Sequence, residues 1–432
     1  MYASQMKIQR SVSETKVKMN NYNTIVIGGG PAGLACAVKL HKNNVSCLII
    51  EREQYLGGIL KQCIHDGFGL QRFKEKLSGP EYAERFVNEV FELNIPFIVN
   101  AFVVSIEKKD GYTINVSTVE GIKTYTCENL VLATGCRERT SKQVEIHGSR
   151  PKGVYTAGAV QHLVNVDGVI PCKKCVILGS GDIGLIMARR LTLEGVKVEA
   201  VYEIMPNPSG LKRNIYQCLV DYDIPLYLSH TVKRTIGYPN LEAVEVMEVD
   251  EKLKPIEGTE KIIECDCLIV SVGLIPENEL AGRIGVLSDA RAKGARCDLD
   301  FETNVEHVYT CGNATHVNDL VDYVSESGEV VADAIRDRND SERKLIDIEV
   351  KGRCAYLVPE MIDVNKKNNK RVMYFRSNKI LKNATVTMKV DDKEILRRVY
   401  ANLRPPEMER IVVDYPELSE NSKVVFEIEE AK

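Results

Sequence analysis

The sequence predicts an α/β protein: two parallel-sheet units, one inserted into the other, followed by a small all-β sandwich. Three observations carry this reading. A short apolar strand running into a glycine-rich turn and a helix occurs twice, opening at Thr24 and again at Cys175. Apolar segments at 262–272 and 308–312 then supply strands that close the second unit and return to the first. Beyond residue 340, the segments 355–358, 371–375, 384–390 and 424–428 are strand-like and separated by polar turns, with no competing helical period.

Residues 1–23 carry Lys7, Arg10, Lys16 and Lys18 without an apolar core, so a disordered tail is expected rather than a secretory signal. Strand 24–27, the glycines and a helix through Leu40 lead to a second strand at 45–50, the order that opens a parallel sheet. A helix is expected at 80–93. Three alternating segments, punctuated by Asp110-Gly111 and Glu120-Gly121, read as a β-meander, and 130–133 returns to a buried strand. The order restarts with strand 175–178, helix 184–193 and strand 196–202. The expected bounds are 24–150 with 285–340 for the first unit, 151–284 for the inserted one and 345–432 for the sandwich.

Of the 432 residues, 44% are apolar and 27% charged, ordinary for a globular chain long enough for two or three cores. With a net charge of −4 no basic surplus points to nucleic acid, and no run of Lys and Arg marks a membrane surface. The longest apolar stretches, such as 267–275, fall far short of a bilayer span. Thirteen cysteines are scattered, most inside apolar runs (Cys36, Cys47, Cys265, Cys267), which fits a reducing cytoplasm better than a secreted disulfide scaffold.

Gly28-Gly29-Gly30-Pro31-Ala32-Gly33 fits G-x-G-x-x-G between a strand and a helix. The first glycine permits the tight turn, the second lets backbone approach a pyrophosphate, and the third lets the helix pack on the strand. The helix N-terminus offers free N–H groups and a partial positive charge to phosphates. Glu51 ends the second strand, placed for both hydroxyls of an adenosine ribose, with Arg52 beside it as a further candidate. Gly179-Ser180-Gly181-Asp182-Ile183-Gly184 repeats the signature, with Glu203 ending its second strand. An acid there favours NAD(H), because a 2′-phosphate would meet like charge, although Arg189, Arg190 and Arg213 stand near in sequence. Both α/β units are thus expected to be Rossmann-like and dinucleotide-binding.

Ala133-Thr134-Gly135 follows one strand and Tyr309-Thr310-Cys311-Gly312-Asn313 follows another. Together with the two glycine motifs, these segments resemble the two-dinucleotide-binding-domain flavoproteins of the pyridine nucleotide–disulfide oxidoreductase superfamily over residues 24–340. The resemblance implies that the first motif binds FAD and the second NAD(P)H. It also implies that Gly57-Gly58 approach the FAD pyrophosphate, and that Asn313 stands where an Asp usually holds the flavin ribityl chain, keeping hydrogen-bonding capacity but losing charge. The following helix would aim its N-terminus at the flavin pyrimidine ring.

Three further runs narrow the resemblance: Leu56-Gly57-Gly58-Ile59-Leu60-Lys61-Gln62-Cys63-Ile64-His65, Cys136-Arg137-Glu138-Arg139-Thr140, and Val272-Gly273-Leu274-Ile275-Pro276-Glu277-Asn278. They are similar to bacterial FAD oxidoreductases encoded beside glycerol-3-phosphate dehydrogenase-like flavoproteins, and to the smaller flavin subunits of sarcosine oxidase, opine oxidase and hydrogen cyanide synthase. The implied activity passes hydride from NADH to FAD and on to a small-molecule or protein acceptor, with a dehydrogenase subunit as candidate partner.

Glutathione-reductase-like members relay electrons through a cysteine pair next to the flavin. Counted from Gly57-Gly58, those positions here are Leu60 and His65, and no histidine follows His316. Cys172-Lys173-Lys174-Cys175 is a Cys-x-x-Cys, but it begins the strand that enters the second glycine motif. It reads as a strand-edge coincidence in preference to a thioredoxin-reductase-like pair. Cys63 and His65 follow the glycine pair and either move protons during flavin reoxidation or pack against the isoalloxazine edge. Every cofactor motif precedes residue 340, so the sandwich is expected to be dispensable for FAD binding.

Overall fold

Strand Asn21–Ile27 is the spine of the first sheet, and its side-chain alternation sorts two apolar cores. The computed structural model describes residues 20–338, 342–366 and 370–430. Val26 faces the core built with the helices Pro31–Lys42, Gly79–Glu92 and Val321–Arg336, while Ile25 and Ile27 face the core shared with the meander strands. Its parallel neighbours are Cys47–Ile50 and Gly121–Leu132. Phe97–Ile98 extends the sheet beyond Cys47–Ile50, Gly111–Thr118 and Phe102–Lys109 extend it on the other side, and Val308–Thr310 pairs in parallel with Gly121–Leu132.

Two expectations change here. Asn21 and Tyr22 pair with Thr126 and Cys127, and Tyr22 is buried, so the ordered chain starts before Thr24; residues 1–19 of the expected tail lie outside the described residues. The last meander segment and the expected strand 130–133 are one 12-residue strand, Gly121–Leu132. Its first half pairs antiparallel with Gly111–Thr118 and its second half parallel with Asn21–Ile27.

The chain packs as two compact units, one reaching Cys136 and resuming at Pro276, the other Arg137–Ile275. These bounds replace the expected 151 and 284, because His147–Gly148 is already a strand of the second unit and Ala281 already packs in a core of the first. In the second unit the strands Val154–Thr156, Cys267–Val270, Lys174–Leu178, Lys197–Glu203 and Leu226–Leu228 form a parallel sheet in that order. The segment 262–272 is two strands in different sheets, Lys261–Glu264 and Cys267–Val270, interrupted at Cys265-Asp266.

Beyond residue 342 a five-stranded and a three-stranded sheet enclose Met373, Phe375, Val386 and Phe426. These strands are not a separate unit. Val358 and Tyr374 belong to the same core as Val26 and Leu34, and buried ion pairs reinforce the junction. Arg343 reaches Asp298 at 3.0 Å, Lys366 reaches Asp300 at 2.9 Å and Arg371 reaches Asp300 at 2.8 Å.

Candidate functional site

The first glycine motif has two kinds of glycine. At Gly28, with φ 111°, a Cβ would overlap the Ala133 carbonyl, and at Gly33 it would overlap the Gly28 carbonyl. Packing alone demands glycine at both. Gly30 is different: φ is −81°, open to any residue, and a Cβ would meet only the Gly58 Cα, at 3.8 Å. Gly30 is also the N-cap of Pro31–Lys42, with no side-chain cap, whereas Gly79–Glu92 carries a full capping box from Ser78 and Glu81. The fold therefore leaves the first-turn N–H groups of the motif helix for something other than its own side chains.

Of the predicted residues, Gly57, Gly58 and Gly312 pack against this helix end, as does Gly328, which was not predicted. Gly57 donates its N–H to the Gly29 carbonyl at 2.8 Å, and a Cβ on Gly58 would sit 2.8 Å from the Gly30 Cα, so glycine faces glycine. A Cβ on Gly312 would lie 2.8 Å from the Ala32 Cβ, and one on Gly328 would overlap the Ala32 carbonyl. Thr134 donates to the Glu277 carbonyl at 2.6 Å, and Gly135, at φ 72°, accepts from the Glu277 N–H at 2.9 Å. Asn313 accepts from the Asn318 N–H at 3.0 Å and points its amide nitrogen at the Cys136 sulfur at 3.6 Å. The helix expected after Asn313 begins only at Val321. Buried Glu51 accepts from the Gly29 N–H at 2.7 Å and the Glu53 N–H at 2.8 Å. Arg52 is bound to Glu277 at 2.8 Å.

The second motif repeats this construction within its own unit. A Cβ on Gly179, at φ 101°, would overlap the Ser271 carbonyl, and one on Gly184 would come within 2.7 Å of the Gly179 carbonyl. Gly181 has φ −67°, has no atom within 4 Å of a Cβ, and is the uncapped N-cap of Asp182–Leu193. Glu203 takes the place of Glu51, accepting from the N–H of Ser180 at 2.9 Å and of Met205 at 3.0 Å. It also accepts from the hydroxyls of Ser180 at 2.5 Å and Ser209 at 3.1 Å. Ser180 and Ser209 were missed as site residues; the only sequence signal was a hydroxyl at the motif's second position. Asp182 is turned to the Leu211 N–H at 2.9 Å and Asn214 at 2.7 Å, latching the loop after Glu203 to the motif. Ile183 packs into the apolar core, and Gly273, at φ 98°, accepts from the Arg139 N–H at 3.1 Å.

Cys63 donates its thiol to the Ile59 carbonyl at 3.5 Å, and burial pushes that thiol up to about 12. The His65 Nδ1 lies 3.2 Å from the Asp66 carbonyl and its ring 5.0 Å from that of Phe68. Lys61 was not anticipated. Its ammonium donates to the Tyr55 carbonyl at 2.9 Å; burial lowers its pKa, and Glu51 and Glu53 act against that.

Two glycines that packing does not require head two uncapped helix ends, each with a buried acid, Glu51 or Glu203, beside it. The profile of the pyridine nucleotide-disulphide oxidoreductase family matches residues 22–336, and the chain belongs to that family. The hydrogen cyanide synthase subunit HcnB of Pseudomonas protegens is 26% identical over 67% of this chain and 65% of its own length. Thus the matched region spans just under two thirds of that relative. The soluble pyridine nucleotide transhydrogenase of Aliivibrio fischeri is 24% identical over 82% of this chain and 77% of its own. Thioredoxin reductase from T. acidophilum superposes with a TM-score of 0.59 over 74% of this chain and 98% of its own, at 22% identity, a likeness of fold. Among the described residues no helix is long and apolar enough to cross a membrane.

Proposed function

We propose that the chain transfers hydride from NADH to FAD and passes the electrons to a small-molecule or protein acceptor. The observation that carries this is the pair Gly30 and Gly181, glycines that neither backbone nor packing requires, each heading a helix without a side-chain cap. FAD at the first site supplies a two-electron carrier. The Gly30 helix end holds its pyrophosphate, Glu51 its ribose hydroxyls, and Gly57-Gly58 and Gly312 leave room for close backbone approach. At the second site the Gly181 helix end takes the NADH pyrophosphate, and the charge of Glu203 disfavours the 2′-phosphate of NADPH. Of the two side chains after the glycine pair, His65 is the proton-handling candidate, since Cys63 remains a neutral thiol. A reducing, cytoplasmic setting goes with thirteen free thiols.

A second reading, a flavin subunit docked on a partner dehydrogenase, is favoured by the subunit character of the cyanide synthase relative. Ile59, Ile64 and Leu70 are also exposed along the segment after Gly57-Gly58. Anaerobic titration of the purified protein with NADH, following flavin absorbance, tests the main reading. Stoichiometric bleaching supports it; a protein that binds FAD but stays oxidised under excess NADH leaves the subunit reading in its place.

A further inference from the structure

The Cys-x-x-Cys of the second unit has a third member that the sequence does not place beside it. Cys175 and Cys267 are register partners on adjacent parallel strands, and both are fully buried. Cys172 is buried in the same side-chain cluster as both of them. The turn carrying Cys172 is fastened over these strand starts by Asp266, whose carboxylate accepts from the N–H of Lys173 at 3.0 Å and of Lys174 at 2.9 Å. Cys172 is 7% exposed against 0% for the other two, so an oxidant reaching the cluster meets it first.

We propose that Cys172, Cys175 and Cys267 form an oxidant-responsive thiol site that takes hydroperoxides as its substrate class. The Cys172 sulfur attacks the peroxide, the O–O bond breaks, and Cys172 becomes a sulfenic acid with release of water or an alcohol. The thiol of Cys175 or Cys267 then displaces the hydroxyl, which leaves as a second water carrying the resolving thiol's proton. The two sulfurs lose two electrons and the peroxide gains them. Hydrogen bonding from the Cys175 and Cys267 thiols lowers the Cys172 pKa and raises theirs, which suits Cys172 as the nucleophile and the other two as resolving thiols. Lys174–Leu178 runs directly into Gly179, which puts the bond at the root of the second glycine motif. The site stands whether or not that motif binds NADH.

The test exposes the full-length holoenzyme to stepwise hydrogen peroxide, alkylates remaining thiols and maps peptides by mass spectrometry. The expected result is a Cys172–Cys175 or Cys172–Cys267 link that forms before Cys63 or Cys136, the less buried thiols, are lost. Cys175→Ala should retain the link to Cys267, Cys267→Ala the link to Cys175, and Cys172→Ala should lose both. Circular dichroism of each variant checks that it is folded; if a buried replacement fails to fold, Cys172→Ala and the wild type decide. Cys172 left reduced, or oxidised to sulfinic acid without a link, overturns the proposal. So does a link reduced by NADH alone, because the pair would then be an electron relay.

Discussion

Replacing Gly181 by alanine separates what the fold needs from what a ligand needs. At φ −67° and ψ 161° alanine is unstrained, and its methyl meets no atom within 4 Å. Removing a glycine's freedom from the unfolded chain contributes about 0.4–1 kcal/mol, a rise of about 1–4 °C in unfolding temperature. The same methyl stands before the uncapped end of Asp182–Leu193, where a pyrophosphate oxygen must come to reach the first-turn N–H groups. Losing one hydrogen bond to a charged oxygen costs about 1.5–3 kcal/mol, a loss of about 10–150-fold in NADH affinity. Gly179→Ala is the opposing control: φ is 101° and the Cβ would overlap the Ser271 carbonyl, so at least about 1–3 kcal/mol of backbone strain is added and the protein should melt earlier. Thermal unfolding paired with anaerobic stopped-flow flavin reduction reads both quantities. A Gly181→Ala protein with unchanged NADH half-saturation would refute the argument that the bare glycine serves a ligand.

Glu203→Ala should narrow the NADH-over-NADPH preference in flavin reduction, and should also destabilise the protein, by about 1–3 kcal/mol, because it orphans the buried Ser180 N–H; competitive kinetics and melts read the two effects. Truncation at residue 338 should yield a chain that does not hold FAD, reversing the expectation that the last strands are dispensable. It strips Arg343, Lys366 and Arg371 from the buried carboxylates Asp298, Asp300 and Glu302 and opens the core at Val358 and Tyr374. Retained flavin absorbance in that fragment would contradict this. Burial raises the Glu360 carboxyl from 4.5 to about 8, so the folded state holds its proton longer than the unfolded state does. Its stability contribution is fully present below pH 4.5 and is lost as pH rises towards 8. Glu360→Gln should therefore stabilise most above pH 8 and little near pH 4.5, read from urea midpoints across that range.

What the sequence made legible was local in the chain. Gly28, Gly33 and Gly179 announce themselves because a turn and a helix contact must be made within six residues, and Glu51 and Glu203 because they end the adjoining strand. What stayed hidden depends on distant partners. Ser209 reaches Glu203 only after the loop folds back, and Asp266 fastens Lys173 and Lys174 from a different strand. Lys393–Leu403 was passed over because it is largely exposed and charged, with no apolar alternation to mark it. The polar residues Asn21 and Asn23 concealed the true start of the first strand, which backbone pairing determines. The apparent independence of the last strands came from their changed composition. Their attachment rests on individual residues, among them Val358, Tyr374, Arg343, Lys366 and Arg371, that no periodicity reveals.

The two acids differ in how much they already hold. Glu51 accepts two backbone N–H groups, half of a carboxylate's roughly four acceptor sites, so a ribose there adds bonds to a side chain already fixed in place. Glu203 accepts from four donors, two of them the hydroxyls of Ser180 and Ser209, so a ribose there must trade places with them. Under the proposed assignment, one site gains on loading and the other roughly breaks even. On that assignment the first would suit a group that stays through many turnovers, the second one that must leave after each.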